Sequence, residues 1–598
     1  MAKGNPFTRT KHRQAWDFFL AQQWAKAKDL YEQICQKDKL DGKAWAMRGI
    51  IHGRLNALDD AEHCLKQALK LDPGSHEALK NLGLVYHCKG LPDQAIACYR
   101  KALAQTPGHI ETLYGLGNVY AQGGDQLTLA QQCYEQVLQH VPQHVGAMLN
   151  LANVLAYQGL ACQAMPYYRQ VLNASGSHAG IHSNLLLSLH YPQVHDPLAV
   201  FEEHLAWASL HEQEDRHLAD RALEPSAGRK LRIGYVTPDL RAHSVAYFFE
   251  PLLAHHDRSR FEIYCYVESG RPDATAERLW QLPDVVRNTG GRSDETVVAM
   301  IRDDQIDILV DLAGHTDHNR LPVFARKPAP LQITYLGYPN TTGLRAMDYR
   351  ITDAWADPPG MTEHLHTEKL VRLDKGFLCF APPAESPDIT PLPARERGYV
   401  TFGSFNVLTK VTPNMLALWA QILTKVPNSR LLIKNRQLTD QILQQRLLAR
   451  FEAHGVGNER IDMQGLTSKG DHMASYGKVD IALDTYPYNG TTTTCDTLWM
   501  GIPVITRAGT SHVSRVGVSL LTRMGLSHLI ADADQQYIDH AARLAADLNQ
   551  LGELRRGLRD RFVRAGLTDG ASFTLDFESV YTNLWNTACC DASGMDAQ

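Results

Sequence analysis

The sequence has 598 residues, of which 44% are hydrophobic and 21% charged, and its formal net charge at pH 7 is −5. This composition is typical of a globular protein with roughly three to four domains, and the weak negative charge argues against nucleic acid or an anionic membrane as a partner. No run of eighteen apolar residues occurs, so we expect no membrane-spanning helix.

The start of the chain and the cysteines both indicate the cytoplasm. Residues 1–12 lack the apolar core of a secretory signal peptide. The eleven cysteines are scattered and include no Cys-x-x-Cys pair, so we expect reduced thiols rather than a disulfide framework.

Residues 9–190 carry an internal repeat with a period of thirty-four residues. Its clearest copy contains Gly83, Tyr86, Ala95, Tyr99 and Pro107. Matching positions in the copies before and after it are Gly49, His52, Ala61, Leu65 and Pro73, and, with one residue inserted, Gly117, Tyr120, Ala130, Tyr134 and Pro142. This period is that of tetratricopeptide repeats, whose helical hairpins stack into a superhelix. The sequence therefore predicts an all-α N-terminal solenoid.

Asparagines recur in one register of three repeats, at Asn81, Asn150 and Asn184, while the intervening repeat has Gly115. An asparagine amide offers two donors and one acceptor, so a ladder of them can hold a peptide backbone. We predict that this groove binds acceptor proteins. The alternatives are a spacer, or an arm through which two copies form a homodimer.

The pattern changes after the repeats to alternating strands and helices. Residues 191–229 read as a helical connector that ends in a linker at 224–229. Strand-like runs then divide into two series, 230–385 and 397–590, on either side of a proline-rich stretch. The predicted strands are 231–236, 261–267, 306–312, 331–336 and 349–352, then 399–405, 430–434, 460–463, 479–483 and 503–506. Two such series predict two Rossmann-like domains with a ligand cleft at their carboxyl strand ends.

The most informative segment follows the apolar run 479–483. Thr491, Thr492 and Thr493 stand where a helix begins, and Asp496 lies one turn further in. Free backbone N–H groups and the helix dipole favour a phosphate at this position, and the carboxylate is placed for the two hydroxyls of a ribose. The alternative is a polar cap on an ordinary helix.

Two polar clusters follow strands of the first domain. His243 opens a helix just past the run 231–236, where it serves either as a general base or as a capping histidine. The cluster 311–321 matches no zinc spacing, so we predict no metal and assign His315 and Asn319 to sugar or acceptor hydrogen bonds.

A glycine-rich segment at 337–343 follows the next strand, and its glycines allow the backbone to approach an uncharged polyol closely, while the alternative is a simple turn. Its candidate residues are Gly337, Tyr338, Pro339 and Thr342.

Three basic residues follow strands of the second domain. Lys410 is the candidate cation beside a diphosphate leaving group. Further on, His472 is placed to stack on a nucleobase, with Lys469 near the base or the ribose. For each of them the alternative is a solvated residue at a loop or helix start.

Together these segments resemble the protein O-GlcNAc transferase family, including its bacterial members and the plant SPINDLY protein. The resemblance covers nearly the whole chain, and its blocks are residues 243–248, 336–344, 348–353, 402–406 with Lys410, and 489–496. It implies a GT-B fold and an inverting, metal-independent transfer, without a cofactor, from a nucleotide sugar to serine or threonine hydroxyls of proteins.

The resemblance also implies roles for single residues. His243 matches the active-site histidine near the acceptor and the donor sugar, and Lys410 matches the lysine on the donor diphosphate. Further matches are Thr492 and Thr493 at the diphosphate, Asp496 at the ribose, His472 against the base and Lys469 beside the nucleoside.

Three positions depart from the animal enzymes of the family. Val407, Thr491 and Ser475 stand where those enzymes carry glutamine, histidine and arginine. The threonine block is closer to SPINDLY, which implies GDP-fucose, whereas many bacterial relatives are taken to use UDP-GlcNAc. We expect UDP-GlcNAc and keep GDP-fucose as the alternative. A catalytically weak binding scaffold and a small-molecule or glycan transferase remain as other classes.

Overall fold

The computed structural model describes residues 6–176, 178–192, 196–212, 223, 228–268 and 272–593. The chain divides into two compact units, Met1–Leu155 and Ala156–Gln598. The predicted linker at 224–229 lies largely outside the described residues.

The first unit consists of antiparallel helix pairs. Its helices are α1 (Pro6–Leu20), α2 (Trp24–Lys37), α3 (Gly42–Arg54), α4 (Leu58–Leu71), α5 (His76–Cys88), α6 (Pro92–Gln105), α7 (Ile110–Gly123), α8 (Leu127–His140) and most of α9 (Val145–Tyr157). The repeat glycines lie where the two helices of a pair touch. A Cβ on Gly83 would lie 2.9 Å from Cε1 of Tyr99, and one on Gly117 would lie 2.7 Å from Cε1 of Tyr134. The thirty-four-residue pattern therefore encodes helix packing, and the predicted repeat helices are confirmed.

Two of the groove asparagines lie in this unit, and both spend amide donors on the protein itself. Asn81 donates to the carbonyl oxygen of Glu77 at 2.8 Å, and Asn150 donates to Oδ1 of Asn118 at 2.9 Å. Gly115 interrupts the register because a Cβ there would lie 2.9 Å from the hydroxyl of Tyr99. Asn184 lies on a helix of the second unit.

The second unit begins with three helices, α10 (Ala161–Ser175), α11 (Ala179–Ser188) and α12 (Pro197–His211). A parallel sheet with the strand order β3-β2-β1-β4-β5-β6-β7 follows. Its elements are β1 (Leu231–Thr237), α13 (Ser244–His255), β2 (Phe261–Val267), α14 (Ala274–Leu279), β3 (Val285–Asn288), α15 (Asp294–Asp303), β4 (Ile308–Asp311), α16 (Leu321–Phe324), β5 (Leu331–Thr334), β6 (Tyr349–Thr352) and β7 (Lys369–Arg372).

A second parallel sheet has the order β10-β9-β8-β11-β12-β13. Its elements are α17 (Pro393–Arg397), β8 (Val400–Ser404), α18 (Pro413–Lys425), β9 (Ser429–Lys434), α19 (Gln441–Ala453), β10 (Ile461–Gln464), α20 (Lys469–Tyr476), β11 (Ile481–Leu483), α21 (Thr492–Trp499), β12 (Val504–Arg507), α22 (Val516–Arg523), β13 (Ile530–Ala531), α23 (Asp534–Ala546), α24 (Leu548–Arg564) and α25 (Gly570–Ser593). The order reverses between β1 and β4 and between β8 and β11, and ligands of such sheets bind at these points.

The helix α25 belongs to the second series of elements by its place in the sequence, but it packs against the first sheet. Tyr581 on α25 lies 3.1 Å, oxygen to oxygen, from the hydroxyl of Tyr235 on β1. Glu578 accepts a hydrogen bond from Nδ1 of His256 at 3.0 Å, with both side chains buried. The helix α25 therefore packs against the first sheet, although it follows the elements of the second sheet along the chain.

The predicted strands are confirmed as β1, β2, β4, β5, β6 and β8 to β12. The strands β3, β7 and β13 were not predicted, because they are short and β3 and β7 lack a buried apolar run. No helix in the described part of the chain is long and apolar enough to cross a bilayer.

A buried histidine cluster joins α11 and α12 to the first sheet. The hydroxyl of Tyr338 lies 2.8 Å from Nε2 of His190 and 2.8 Å from Nε2 of His204. The other ring nitrogen of His204 contacts the carbonyl oxygen of Val200. Burial lowers the pKa of His204 to about 4. This cluster therefore requires a neutral His204.

We expect acid to weaken the protein through His204. The unfolded imidazole titrates near pH 6.5 and the folded one near pH 4, so the stabilisation is complete above pH 6.5 and is lost as the pH falls to 4. The loss amounts to at most about 3 kcal/mol. Urea unfolding at pH 7.5 and 4.5 should show a smaller pH-dependent loss for His204→Gln than for the unsubstituted protein. Equal losses would contradict the assignment.

Candidate active site

A cavity of about 280 Å³ lies between the carboxyl strand ends of the two sheets. It is lined from the first sheet by the segments after β1 and β5 and from the second sheet by the segments after β8, β11 and β12. Of the site residues predicted from the sequence, it brings together His243, Gly337, Pro339, Lys410, Thr491, Thr492 and Thr493. These residues are far apart in the sequence and share one cavity only because of the two-sheet topology.

The threonines lie at the start of α21, as the sequence predicts. Thr491 makes no capping bond, and among the described residues neither the hydroxyl of Thr491 nor that of Thr492 makes a hydrogen bond. Thr493 donates to Oδ1 of Asn406 at 2.7 Å. The first two hydroxyls and the N–H groups of the first helical turn therefore remain available to a ligand in the cavity.

The turn before α21 is held by the buried carboxylate of Asp484, a residue that sequence reasoning did not single out. Asp484 accepts hydrogen bonds from the backbone N–H groups of Thr485 at 2.8 Å and Gly490 at 2.7 Å, and from the hydroxyl of Thr506 at 2.7 Å. Burial raises the pKa of this carboxyl group, and its hydrogen bonds oppose the shift. The sequence feature that could have identified Asp484 is its position directly after an apolar strand.

The same turn requires glycine at position 490 because a side chain has no room there. A Cβ at this position would lie 2.5 Å from Oγ1 of Thr493 and 2.9 Å from Oδ1 of Asn406. A side chain would thus displace the threonine from its partner, and the glycine is part of the geometry that orients the helix start.

Lys410 follows β8 on a short 3-10 turn and points toward the same place. Its Nζ donates to the carbonyl oxygen of Asn489 at 2.8 Å and lies 4.0 Å from the ring centroid of Tyr488. Burial lowers the pKa of the ammonium group to about 8, although Asp484 acts in the opposite direction. This is a cation with little water around it, which strengthens its attraction for an anion.

His243 caps α13 on the first-sheet side of the cavity. Its Nδ1 accepts the backbone N–H of Val245 at 3.4 Å and lies 3.3 Å from Oδ1 of the buried Asp239. Burial lowers the pKa of the imidazole, and the neighbouring Asp239 raises it. The side chain remains 38% exposed, so the capping role and contact with a ligand are compatible.

An aromatic cluster lies beside the cavity. The rings of Phe405 and Tyr476 are 4.2 Å apart, and His472 lies 5.8 Å from Phe405, centroid to centroid. Burial lowers the pKa of His472. Asp496 is buried on α21 and adds to the burial that raises the pKa of Tyr476. Lys469 begins α20, but its side chain lies outside the described residues.

The cavity wall does not include four of the first-domain candidates, His315, Asn319, Tyr338 and Thr342, and their sugar-binding role stays a prediction. His315 is fully buried, with Nδ1 3.0 Å from Oγ of Ser183 and Nε2 2.9 Å from the carbonyl oxygen of Thr342. Tyr338 belongs to the histidine cluster, and Thr342 donates its hydroxyl to Glu368 at 2.5 Å. These three side chains thus make internal contacts that hold the fold together.

Structural contacts also explain why asparagine stands at position 319 and glycine at position 337. The side chain of Asn319 donates to the carbonyl oxygen of Thr316 at 2.8 Å and accepts the N–H of Leu321 at 3.2 Å. Gly337 lines the cavity, but a Cβ there would lie 2.0 Å from the carbonyl oxygen of Leu312. The described residues contain no group of three or more side chains suited to a metal ion.

Comparison with known proteins matches both parts of the chain. The profile of glycosyl transferase family 41 matches residues 199–380 and 392–577, and a tetratricopeptide repeat profile matches residues 47–110 and 113–179. SPINDLY of Solanum lycopersicum, named a probable UDP-N-acetylglucosamine–peptide N-acetylglucosaminyltransferase, is 40% identical over 415 residues, or 68% of this chain and 44% of the relative.

More distant relatives carry related names. The UDP-N-acetylglucosamine–peptide N-acetylglucosaminyltransferase of Caenorhabditis elegans is 25% identical over 481 residues, which cover 60% of this chain and 41% of that protein. The chain thus spans less than half the length of these curated relatives.

A solved structure is similar over most of the chain. A mutant of the Thermobaculum terrenum O-GlcNAc transferase superposes with a TM-score of 0.80 at 36% identity, covering 87% of this chain and 99% of that one. The repeats, the two parallel sheets and the cavity between their strand ends thus occur together with a family match over more than half of the sequence. The chain belongs to glycosyl transferase family 41, the family of the O-GlcNAc transferases.

Proposed function

We propose that the protein transfers N-acetylglucosamine from UDP-GlcNAc to serine or threonine hydroxyls of other proteins, with inversion and without a metal. The observation that carries this proposal is the single cavity that receives His243, Lys410 and the threonines at the start of α21. The names of the relatives support UDP-GlcNAc as the donor.

The leaving group determines where the donor lies. In the transfer, the acceptor hydroxyl oxygen bonds to the anomeric carbon and releases its proton to solvent, while the bond from that carbon to the β-phosphate oxygen breaks and its electron pair departs with the diphosphate. We assign the stabilisation of that charge to Lys410, the hydroxyls of Thr491 and Thr492 and the N–H groups of α21. The acceptor enters from the first-sheet side, where His243 orients its hydroxyl.

The nucleoside then extends from the diphosphate toward α20. We assign the base to the aromatic cluster at Phe405 and His472, and the ribose to Asp496, which lies one turn into α21. Lys469 at the start of α20 belongs to the same proposed pocket.

The repeats supply the acceptor. We propose that the recurring asparagines, Asn81 and Asn150 in the first unit and Asn184 on α11, bind acceptor proteins. The cysteines in the described part of the chain are free thiols, which is consistent with the cytoplasmic location we propose.

GDP-fucose is the second candidate donor, because the 40% identical relatives are SPINDLY proteins and the threonine block resembles theirs. A thermal-shift panel of UDP-GlcNAc, UDP-glucose and GDP-fucose, followed by transfer to a peptide array, separates the two. A donor that binds only the folded state raises the melting temperature. If only GDP-fucose stabilises the protein, GDP-fucose replaces UDP-GlcNAc as the proposed donor. If none of the three nucleotide sugars stabilises the protein or is used for transfer, the binding-scaffold alternative is favoured.

Lys410→Ala should lower kcat at least 10²- to 10³-fold, as roughly expected for loss of a charge that stabilises the leaving group. Lys425→Ala is the matched control, since Lys425 is ion-paired with Asp539 on the surface and does not line the cavity. Sugar transfer to a peptide and binding of that peptide are measured in parallel. Near-normal turnover by Lys410→Ala would remove the leaving-group role.

The transfer should also weaken in alkali. Because the pKa of Lys410 is about 8, the ammonium form is present below pH 8 and is lost above it, so kcat/KM for the donor should be level near pH 7 and fall above pH 8. A bound diphosphate favours the ammonium form, so the fall in kcat at saturating donor should lie at higher pH. If kcat/KM and kcat fall at the same pH, the assignment of this pH dependence to Lys410 is contradicted.

A further inference from the structure

A second histidine lines the cavity, and no part of the proposed reaction has used it. His512 follows β12 on a short 3-10 turn and contributes to the cavity wall together with Val516 at the start of α22. Its side chain is only 4% exposed, so its position is set by the surrounding protein rather than by solvent.

The carboxylate that holds His512 comes from the opposite sheet. Nδ1 of His512 lies 2.6 Å from Oδ2 of Asp357, which follows β6 and is fully buried. The hydroxyl of Thr352 donates to the same oxygen. Burial alone would raise the pKa of Asp357, but His512 holds it well below its usual range. A buried aspartate anion thus fixes the proton of His512 on Nδ1 and leaves Nε2 for the cavity.

Nε2 of His512 has no hydrogen-bond partner among the described residues. A buried ring nitrogen that is left without a partner is costly, whereas one that faces a cavity can pair with a ligand. The opposite ring nitrogen is already held, so the orientation of Nε2 is set in advance.

The turn of His512 is attached to the proposed diphosphate cradle. The backbone N–H of Asn489 donates to the carbonyl oxygen of Val513 at 3.1 Å. The carbonyl oxygen of the same Asn489 accepts from Nζ of Lys410, and its side chain accepts from the N–H of Gly517 at 3.3 Å. His512 therefore belongs to the phosphate end of the cavity and not to the nucleoside end at α20.

We propose that Nε2 of His512 hydrogen-bonds the terminal phosphate of the nucleoside diphosphate, with Asp357 as its positioning residue. This inference rests on the proposed function, because it assumes a nucleotide donor in this cavity. In this contact the ring of His512 donates from Nδ1 to the Asp357 carboxylate and from Nε2 to a phosphate oxygen. The contact therefore links the two sheets through the ligand.

Isothermal titration of the full chain with UDP and UMP, and with GDP and GMP, tests the contact without measuring transfer. His512→Asn keeps an amide N–H at the position of Nδ1 but removes the atom at Nε2, whereas His512→Gln places an amide at Nε2. We expect His512→Asn to weaken diphosphate binding about tenfold or more and to leave monophosphate binding within about twofold. His512→Gln should restore part of the diphosphate preference.

The matched control is His256→Asn, which breaks another buried histidine–carboxylate pair, at 3.0 Å from Glu578, away from the cavity. It should lower the melting temperature without changing the ratio of diphosphate to monophosphate affinity. Asp357→Asn should lower that ratio as His512→Asn does, and an equal loss for both nucleotides would make Asp357 purely structural and overturn its positioning role.

The two proposals fail in different ways. If the unsubstituted protein binds neither UDP nor GDP, the nucleotide-sugar function falls and this inference falls with it. If it binds a diphosphate and His512→Asn retains the unsubstituted ratio, only the His512 contact is overturned.

Discussion

The buried carboxylate of Asp484 organises the second sheet's half of the cavity. It gathers N–H groups from both ends of the turn between β11 and α21 and a hydroxyl from β12. That turn presents the Asn489 carbonyl oxygen to Lys410 and places Thr491 and Thr492 at the helix start. A buried carboxylate is stable only when hydrogen-bond donors surround it, so the three donors to Asp484 and the carboxylate fix one another's positions.

The repeats, the two sheets and most predicted strands could be derived from the sequence, because each leaves a periodic trace of buried apolar and small residues. Gly83 and Gly117 mark helix contacts, and the apolar run 479–483 contains β11. The clustering of His243, Lys410 and the threonines also followed, since carboxyl strand ends meet at one edge of a parallel sheet. These predictions rest on local patterns and topology.

Such patterns do not predict the direction in which a side chain points. His315 and Tyr338 follow strand ends as His243 does, yet they turn into the contact with α11 and α12 because Ser183, His190 and His204 offer partners there. His512 was passed over for the opposite reason, since its partner Asp357 comes from the other sheet and no sequence spacing connects them. A histidine's role in this protein is decided by what lies across the interface from it.

The turn between α9 and α10 packs against the backbone on either side of Lys410. Gly159, between α9 and α10, has a φ of +76°, and a Cβ there would lie 2.7 Å from the carbonyl oxygen of Leu408 and 2.9 Å from that of Val411, on either side of Lys410. Tyr191 stacks on Tyr488, whose ring underlies the Lys410 ammonium group. A glycine and an aromatic stack therefore fix how Gly159 and Tyr191 approach the segment that carries Lys410. A substitution at either position would therefore disturb the surroundings of the Lys410 ammonium group.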